Sequence, residues 1–201
     1  MKGVFCLEGF WFGDHRDNTS VEPILDLVHR FVKMPFVYHR CATRDEFSFS
    51  ISRWKTKAFH NKYPLLYLAF HGEGGLIKIG EESITLDDLA ELLGDKCQGV
   101  VIYFGSCATL DMDRRRLQSF MARTRTLAVL GYRKDVDWMT SASFEILLLN
   151  YLLNIKYDSQ GIQKFSEEIR RDCRRQIREL DFIIASNETI HFPRKRKVHA
   201  A

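Results

Sequence analysis

Two apolar runs constrain this chain more than any other feature of it. Tyr63-Pro64-Leu65-Leu66-Tyr67-Leu68-Ala69-Phe70 leads directly into His71-Gly72, and Val100-Val101-Ile102-Tyr103-Phe104-Gly105-Ser106 leads directly into Cys107. A continuous apolar run of this length reads as a strand buried on both faces, the pattern of a parallel sheet. Parallel neighbours finish at one edge of the sheet, where open α/β domains bind ligands. One run ends on a base and the other on a nucleophile, so His71 and Cys107 form a candidate Cys–His dyad.

The rest of the chain alternates between strand and helix signals. Val4 to Trp11 reads as a first strand, followed by a polar turn. Ser20 is placed to cap a helix with Pro23 in its first turn. Phe36-Val37-Tyr38 suggests a short strand, and Phe47 to Phe59 a helix carrying Trp54. Gly74-Gly75 and Gly80-Glu81 bracket Leu76 to Ile79, the signature of a small hairpin. Thr85-Leu86-Asp87-Asp88 opens a helix in the manner of a capping box, with Asp88 in the acceptor position. A basic helix is expected from about Asp113 to Thr124, then a strand at Leu127 to Leu130. Phe144 to Leu153 is apolar nearly all round and predicts a buried helix. From Ile162 to Leu180 apolar residues fall three or four apart, predicting one long helix whose other face carries Arg170, Arg171, Arg174, Arg175 and Arg178. Phe182 to Ala185 adds a last strand, with a hairpin return between Ser186 and Ile190.

This order predicts a three-layer α/β sandwich, a mostly parallel sheet of about six strands with helices on both faces. At 201 residues the chain fits one domain, assigned to residues 1–190, with a basic tail over 191–201. No run approaches the ~20 apolar residues of a membrane span, and Glu8 comes too early for a signal peptide. The five cysteines are odd in number, scattered and without a C-x-x-C pair, which argues against a disulfide framework or a zinc site. The expectation is a cytoplasmic protein with free thiols, no metal and no cofactor. A net charge of +4 is too mild to mark a dedicated nucleic-acid binder.

A free thiol is only a few per cent thiolate at neutral pH. An imidazole beside it takes its proton during attack and returns one to the leaving amine. Gly72, with no side chain in the way, can offer its backbone N–H beside that of Cys107 as an oxyanion hole. At these residues the chain resembles the caspase–haemoglobinase fold of cysteine peptidases, which includes caspases, metacaspases, separase and bacterial CHAT domains. In that family an apolar strand ends in His-Gly and the next core strand ends in the catalytic cysteine. His71-Gly72 and Gly105-Ser106-Cys107 match in order and context. The segment Leu127 to Tyr132 running into Arg133-Lys134-Asp135-Val136-Asp137-Trp138 is similar to the CHAT segment where an Asp and an aromatic line the substrate cleft. Caspases carry Gln, and metacaspases Asp, two positions before the cysteine, and that side chain helps bind P1. Gly105 stands there in this chain, so neither preference transfers.

The resemblance implies a cysteine endopeptidase acting on a protein or peptide substrate. Small bacterial relatives further suggest a latent effector, such as one of anti-phage defence, switched on by a partner or a nucleotide-derived small molecule, with homo-oligomers open and no membrane association. Asp14, Arg16, Arg133, Asp135, Asp137 and Trp138 are candidates for contacting substrate or activator. Asp135 and Asp137 either form an acidic pocket for a basic P1 side chain or are a solvated loop with a capping Asp. The arginine triplet Arg114-Arg115-Arg116 and the late-helix set are candidates for an anionic signal. The alternative to an enzyme is a catalytically inactive caspase-like module that senses a partner.

Overall fold

A computed structural model describes residues 2–12 and 16–186, and the backbone of 190–191. In chain order the elements are β1 (Val4–Glu8), α1 (Glu22–Val32), β2 (Phe36–Arg40), α2 (Arg44–Trp54), α3 (Lys57–Lys62), β3 (Leu65–Ala69), β4 (His71–Glu73), β5 (Leu76–Ile79), β6 (Glu82–Thr85), α4 (Leu86–Leu93), β7 (Val101–Phe104), α5 (Arg114–Thr124), β8 (Ala128–Tyr132), α6 (Trp138–Leu153), α7 (Ser159–Asp172), α8 (Arg174–Glu179), β9 (Phe182–Ser186) and β10 (Ile190–His191).

Seven strands form one sheet in the order β10-β9-β8-β7-β3-β1-β2. β2, β1, β3, β7 and β8 are parallel neighbours, while β9 and β10 run antiparallel at one margin. The expected three-layer α/β architecture is therefore present, with one strand more than the sequence suggested. From β1 the chain steps outward to β2 and then returns to β3 on the other side of β1. That reversal opens a crevice at the carboxyl ends of β1 and β3. A small antiparallel sheet, β4-β5-β6, stands beyond the end of β3.

The parallel strands are buried on both faces because alternate residues feed two separate cores. Leu65, Tyr67 and Ala69 join Tyr103, Leu130 and Tyr132 under α1, α6 and α7. Leu66, Leu68 and Phe70 join Ile102, Phe104 and Val129 under α2, α4 and α5. Each large side chain so buried contributes roughly 1.5–3 kcal/mol. The two cores clamp the central strands from both sides, so their ends are rigid mounts.

Local chemistry explains where elements depart from the sequence reading. The cap position of α1 is Val21, without a side-chain bond, but Ser20 just before it serves the helix start. Its hydroxyl accepts from the Glu22 N–H at 3.0 Å while donating to the buried Glu8 carboxylate at 2.6 Å. The helix expected over Phe47 to Phe59 starts earlier, on a Thr43–Glu46 capping box, and breaks at Thr56, whose extended backbone starts α3. The long helix expected through Leu180 is two, α7 and α8, hinged at Cys173. Ile162, Phe165, Ile169, Cys173, Ile177 and Leu180 still face one core. The apolar spacing reports that common face and is blind to the bend. The hairpin return to Ile190 is present as β10, paired with Ala185 and Ile184. The basic tail lies outside the described residues. No helix among the described residues is long and apolar enough to cross a membrane.

Candidate active site

β3 and β7 pair in parallel with Leu68 opposite Phe104. His71 and Cys107 each lie three residues further on, so two adjacent strands overrun the sheet by the same length. Both residues border one cavity of about 70 Å³ at this edge, with Trp11, Gly105, Trp138 and Glu145 also in its lining.

Several contacts hold the two strand ends together. The buried Ser106 hydroxyl accepts from the Phe70 N–H and donates to the Leu68 carbonyl, both at 3.2 Å. The Gly105 N–H reaches the same Leu68 carbonyl at 3.0 Å. Gly72 lies so close to the cysteine turn that a Cβ there would sit 2.0 Å from Thr109 Oγ1 and 2.5 Å from the Cys107 carbonyl oxygen. Only glycine allows that approach. Immediately after Cys107, Ala108 has φ of +49°, a left-handed conformation that costs a non-glycine residue of order 1 kcal/mol. The surroundings enforce it: Ala108 N–H donates to Lys134 O at 3.1 Å, and Leu110 N–H to Tyr132 O at 3.1 Å.

The imidazole of His71 is fixed from the β1 side. Its Nε2 contacts the Trp11 backbone carbonyl, and its ring meets the Trp11 indole edge-on with centroids 5.2 Å apart. A carbonyl oxygen only accepts, so Nε2 carries the proton and Nδ1 keeps its lone pair. Trp11 is in turn anchored by its Nε1–H, which donates to Glu8 Oε1 at 2.6 Å, and it packs against Trp138 at 4.6 Å.

Burial separates the five thiols. Cys6, Cys41, Cys97 and Cys173 are buried, whereas Cys107 is half-exposed. Loss of hydration pushes the Cys41 thiol up to about 11 and the Cys97 thiol up to about 12, and raises Cys6 and Cys173 as well.

The remaining candidates from the sequence are dispersed. Trp138 walls the cavity, joined by Val136. Asp137 is the N-cap of α6, accepting from Thr140 N–H at 2.9 Å, which holds its carboxyl below the usual range. Asp135 is exposed and, like Asp137, does not line the cavity. Arg133 pairs with Asp111 at 3.3 Å, bracing the turn after Cys107. Arg16 is exposed in the loop after β1, and Asp14 lies outside the described residues. Of the late-helix arginines, Arg171 pairs with Asp172 and Arg175 with Glu179, each at 2.7 Å. Among the described residues no cluster of three or more His, Cys, Asp or Glu side chains is arranged to hold a metal ion.

A model of a family of unknown function (DUF6642) matches residues 1–185. The chain belongs to that family. No curated protein matches it. Its structure is similar to the crystal structure of caspase-1 from Spodoptera frugiperda, at 16% identity over 77% of this chain and 69% of that one, with a TM-score of 0.48.

Sequence reasoning missed two buried carboxylates that shape this DUF6642 cleft. Glu8, at the end of β1, accepts from Trp11 Nε1, Ser20 Oγ, the Val21 N–H at 2.8 Å and the Tyr38 hydroxyl, with Arg40 Nε at 3.8 Å. Glu145, on α6, accepts from Tyr67 at 2.6 Å and Tyr103 at 2.7 Å, with Tyr132 at 3.4 Å. Burial pushes its carboxyl up to about 7 against the opposing pull of those phenols. A single acid inside each apolar run was the available signal.

Proposed function

We propose that this protein is a cysteine endopeptidase in which Cys107 is the nucleophile and His71 the general base, as the resemblance to the caspase–haemoglobinase fold implies. The observation that carries the reading is the equal overrun of β3 and β7 onto one cavity, beyond the register pair Leu68–Phe104. The Trp11 carbonyl on Nε2 supports it further, because it leaves Nδ1 as the basic nitrogen.

In the proposed reaction the Cys107 thiol gives its proton to Nδ1 and the sulfur attacks the peptide carbonyl carbon. The carbonyl oxygen becomes an oxyanion, which the Gly72 and Cys107 N–H groups stabilise. Collapse breaks the C–N bond as the imidazolium returns the proton to the departing amine. Water, activated by the same imidazole, then hydrolyses the thioester and regenerates the thiol. A peptidase active without restraint would damage the cell that makes it, so the reading includes a latent state released by a partner or a nucleotide-derived anion.

The test is digestion of a diverse peptide mixture with and without candidate activators, read by mass spectrometry. Cys107→Ala is expected to lower cleavage by ~10³-fold or more while preserving the melting temperature; cleavage at the parent rate overturns the assignment. Iodoacetamide is expected to modify Cys107 first and the four buried thiols far more slowly, with His71→Ala slowing the Cys107 reaction. Equally slow modification of all five favours a non-enzymatic binding module.

A further inference from the structure

The cavity beside Cys107 and His71 has a chemical character of its own. Its walls include Val21, Ile24, Val136 and the indoles of Trp11 and Trp138, and the carboxylate-bearing Glu145 completes the lining. Glu145 is 4% exposed. Among the described residues each hydrogen-bond partner of its carboxylate is a phenol. Three phenols orient dipoles toward the carboxylate but supply no countercharge. An ionised carboxylate offers about four acceptor sites, so capacity remains for a donor arriving through the cavity.

Position 105 cannot read P1 in this chain. A Cβ on Gly105 would sit 2.4 Å from the Tyr67 ring, and that same tyrosine donates to Glu145. The ring that forbids a side chain two residues before the cysteine is thus the ring that orients the acid on α6. Asp135 and Asp137, the acids nearest in sequence to the cleft wall, point elsewhere in function: one is exposed and the other is spent on a helix cap.

We propose that this cavity is the P1 subsite and that Glu145 recognises a lysine or arginine side chain there, which makes basic residues the preferred site of cleavage. The inference rests on the peptidase reading. The apolar and indole walls suit the alkyl stem of such a side chain, and a cation beside tryptophan faces gains further attraction. An acidic side chain would meet Glu145, with the charge of Glu8 close enough to act on Glu145 itself; like charge at short range excludes it. Because the Glu145 carboxyl is raised to about 7, a bound cation displaces its proton, so binding strengthens as pH rises toward that value and then levels.

Two measurements test this independently of each other. In the first, wild-type protein cleaves peptides that differ only at P1. Lysine is expected to be preferred over its neutral isostere norleucine on the order of 10²-fold in kcat/KM, and Glu145→Gln is expected to reduce that ratio at least tenfold. Preference for an acidic or neutral P1, or an unchanged ratio in a folded Glu145→Gln protein, overturns the proposal. In the second, calorimetry follows Nα-acetyl-lysine amide and Nα-acetyl-norleucine amide binding to Cys107→Ala protein between pH 5.5 and pH 8. Preferential binding of the lysine probe that grows with pH supports the subsite even where no cleavage is seen, and then the failure belongs to the peptidase reading alone. Equal binding of the two probes, or none by the lysine probe, overturns the subsite. Should Glu145→Gln fail to fold, Glu145→Asp replaces it, with a weakened but retained lysine preference expected and an unchanged one counting against the proposal.

Discussion

Glu8 and Glu145 are both buried carboxylates, one anchoring the Trp11 that walls the cavity and the other in the cavity lining itself, yet they are satisfied in different ways. Glu8 receives an indole N–H, a backbone N–H and two hydroxyls, and a guanidinium stands behind it. Glu145 receives phenols only. A carboxylate with all its acceptor sites filled by fixed groups is a structural clamp, and here it fastens the loop that carries Trp11. A carboxylate without a charged partner, opening onto a cavity, is poised for a ligand. The difference teaches that burial alone does not tell scaffold from recognition group; the identity of the donors does.

The comparison breaks most visibly at Glu8. Glu8→Ala removes the shared acceptor of four donors, two of them the buried Trp11 indole and Val21 N–H groups, while Arg40 keeps its bonds to the Tyr38 hydroxyl and the Thr19 carbonyl. The change is expected to cost about 3–5 kcal/mol. Thermal unfolding would then shift down by roughly 10 °C, with Cys107 alkylation losing its dependence on His71. A melting temperature within a degree or two of the parent would mean the clamp is ornamental.

Glu145 should behave in the opposite sense. Its folded carboxyl is raised from an ordinary value near ~4.3 to about 7, so between those values the folded state holds a proton that the unfolded state has released. Stability therefore falls as pH rises across that window, is untouched below it, and stays lowered above it, by about 4 kcal/mol in all. Glu145→Gln, which carries no such proton, is expected to remove that slope and to match or exceed wild-type stability at pH 8. Urea denaturation of both proteins at pH 4, 5.5, 7 and 8 measures the difference, and parallel curves would refute it.

The smallest effect is expected at the link between the two sites. Trp11→Phe deletes one hydrogen bond to Glu8 while leaving the backbone carbonyl that meets His71. A loss of about 1–2 kcal/mol and a modest slowing of Cys107 alkylation follow. An unchanged alkylation rate would show that the carbonyl alone holds the imidazole.

Much of the fold was legible because its central strands are apolar on both faces, which few other structures demand. β3 ends at Ala69 and β7 at Phe104, one and two residues inside the quoted runs, and His71 and Cys107 border one cavity. What escaped has physical reasons. Trp11 acts on His71 through a main-chain carbonyl, a group every residue possesses, so its side chain gave no hint. Glu145 sits in a helix of apolar residues, where a single acid reads as an exposed exception until its neighbours across the sheet are known. Those neighbours, Tyr67, Tyr103 and Tyr132, come from three strands distant in sequence. Ser20 meets the helix start as its residue type suggested, but its second bond, to a carboxylate twelve residues away, is one that local capping rules do not see. The Thr43–Glu46 box was visible and would have placed the start of α2.

The hydroxyl of Ser106 grips the ends of β3 and β7 together. The imidazole begins β4 of the small sheet and the sulfur sits in the turn after β7, yet both chain segments leave the same fastened pair of strand ends. Any movement that parts the two side chains therefore has to begin beyond Ser106, in the segments that carry them, and not in the strands behind.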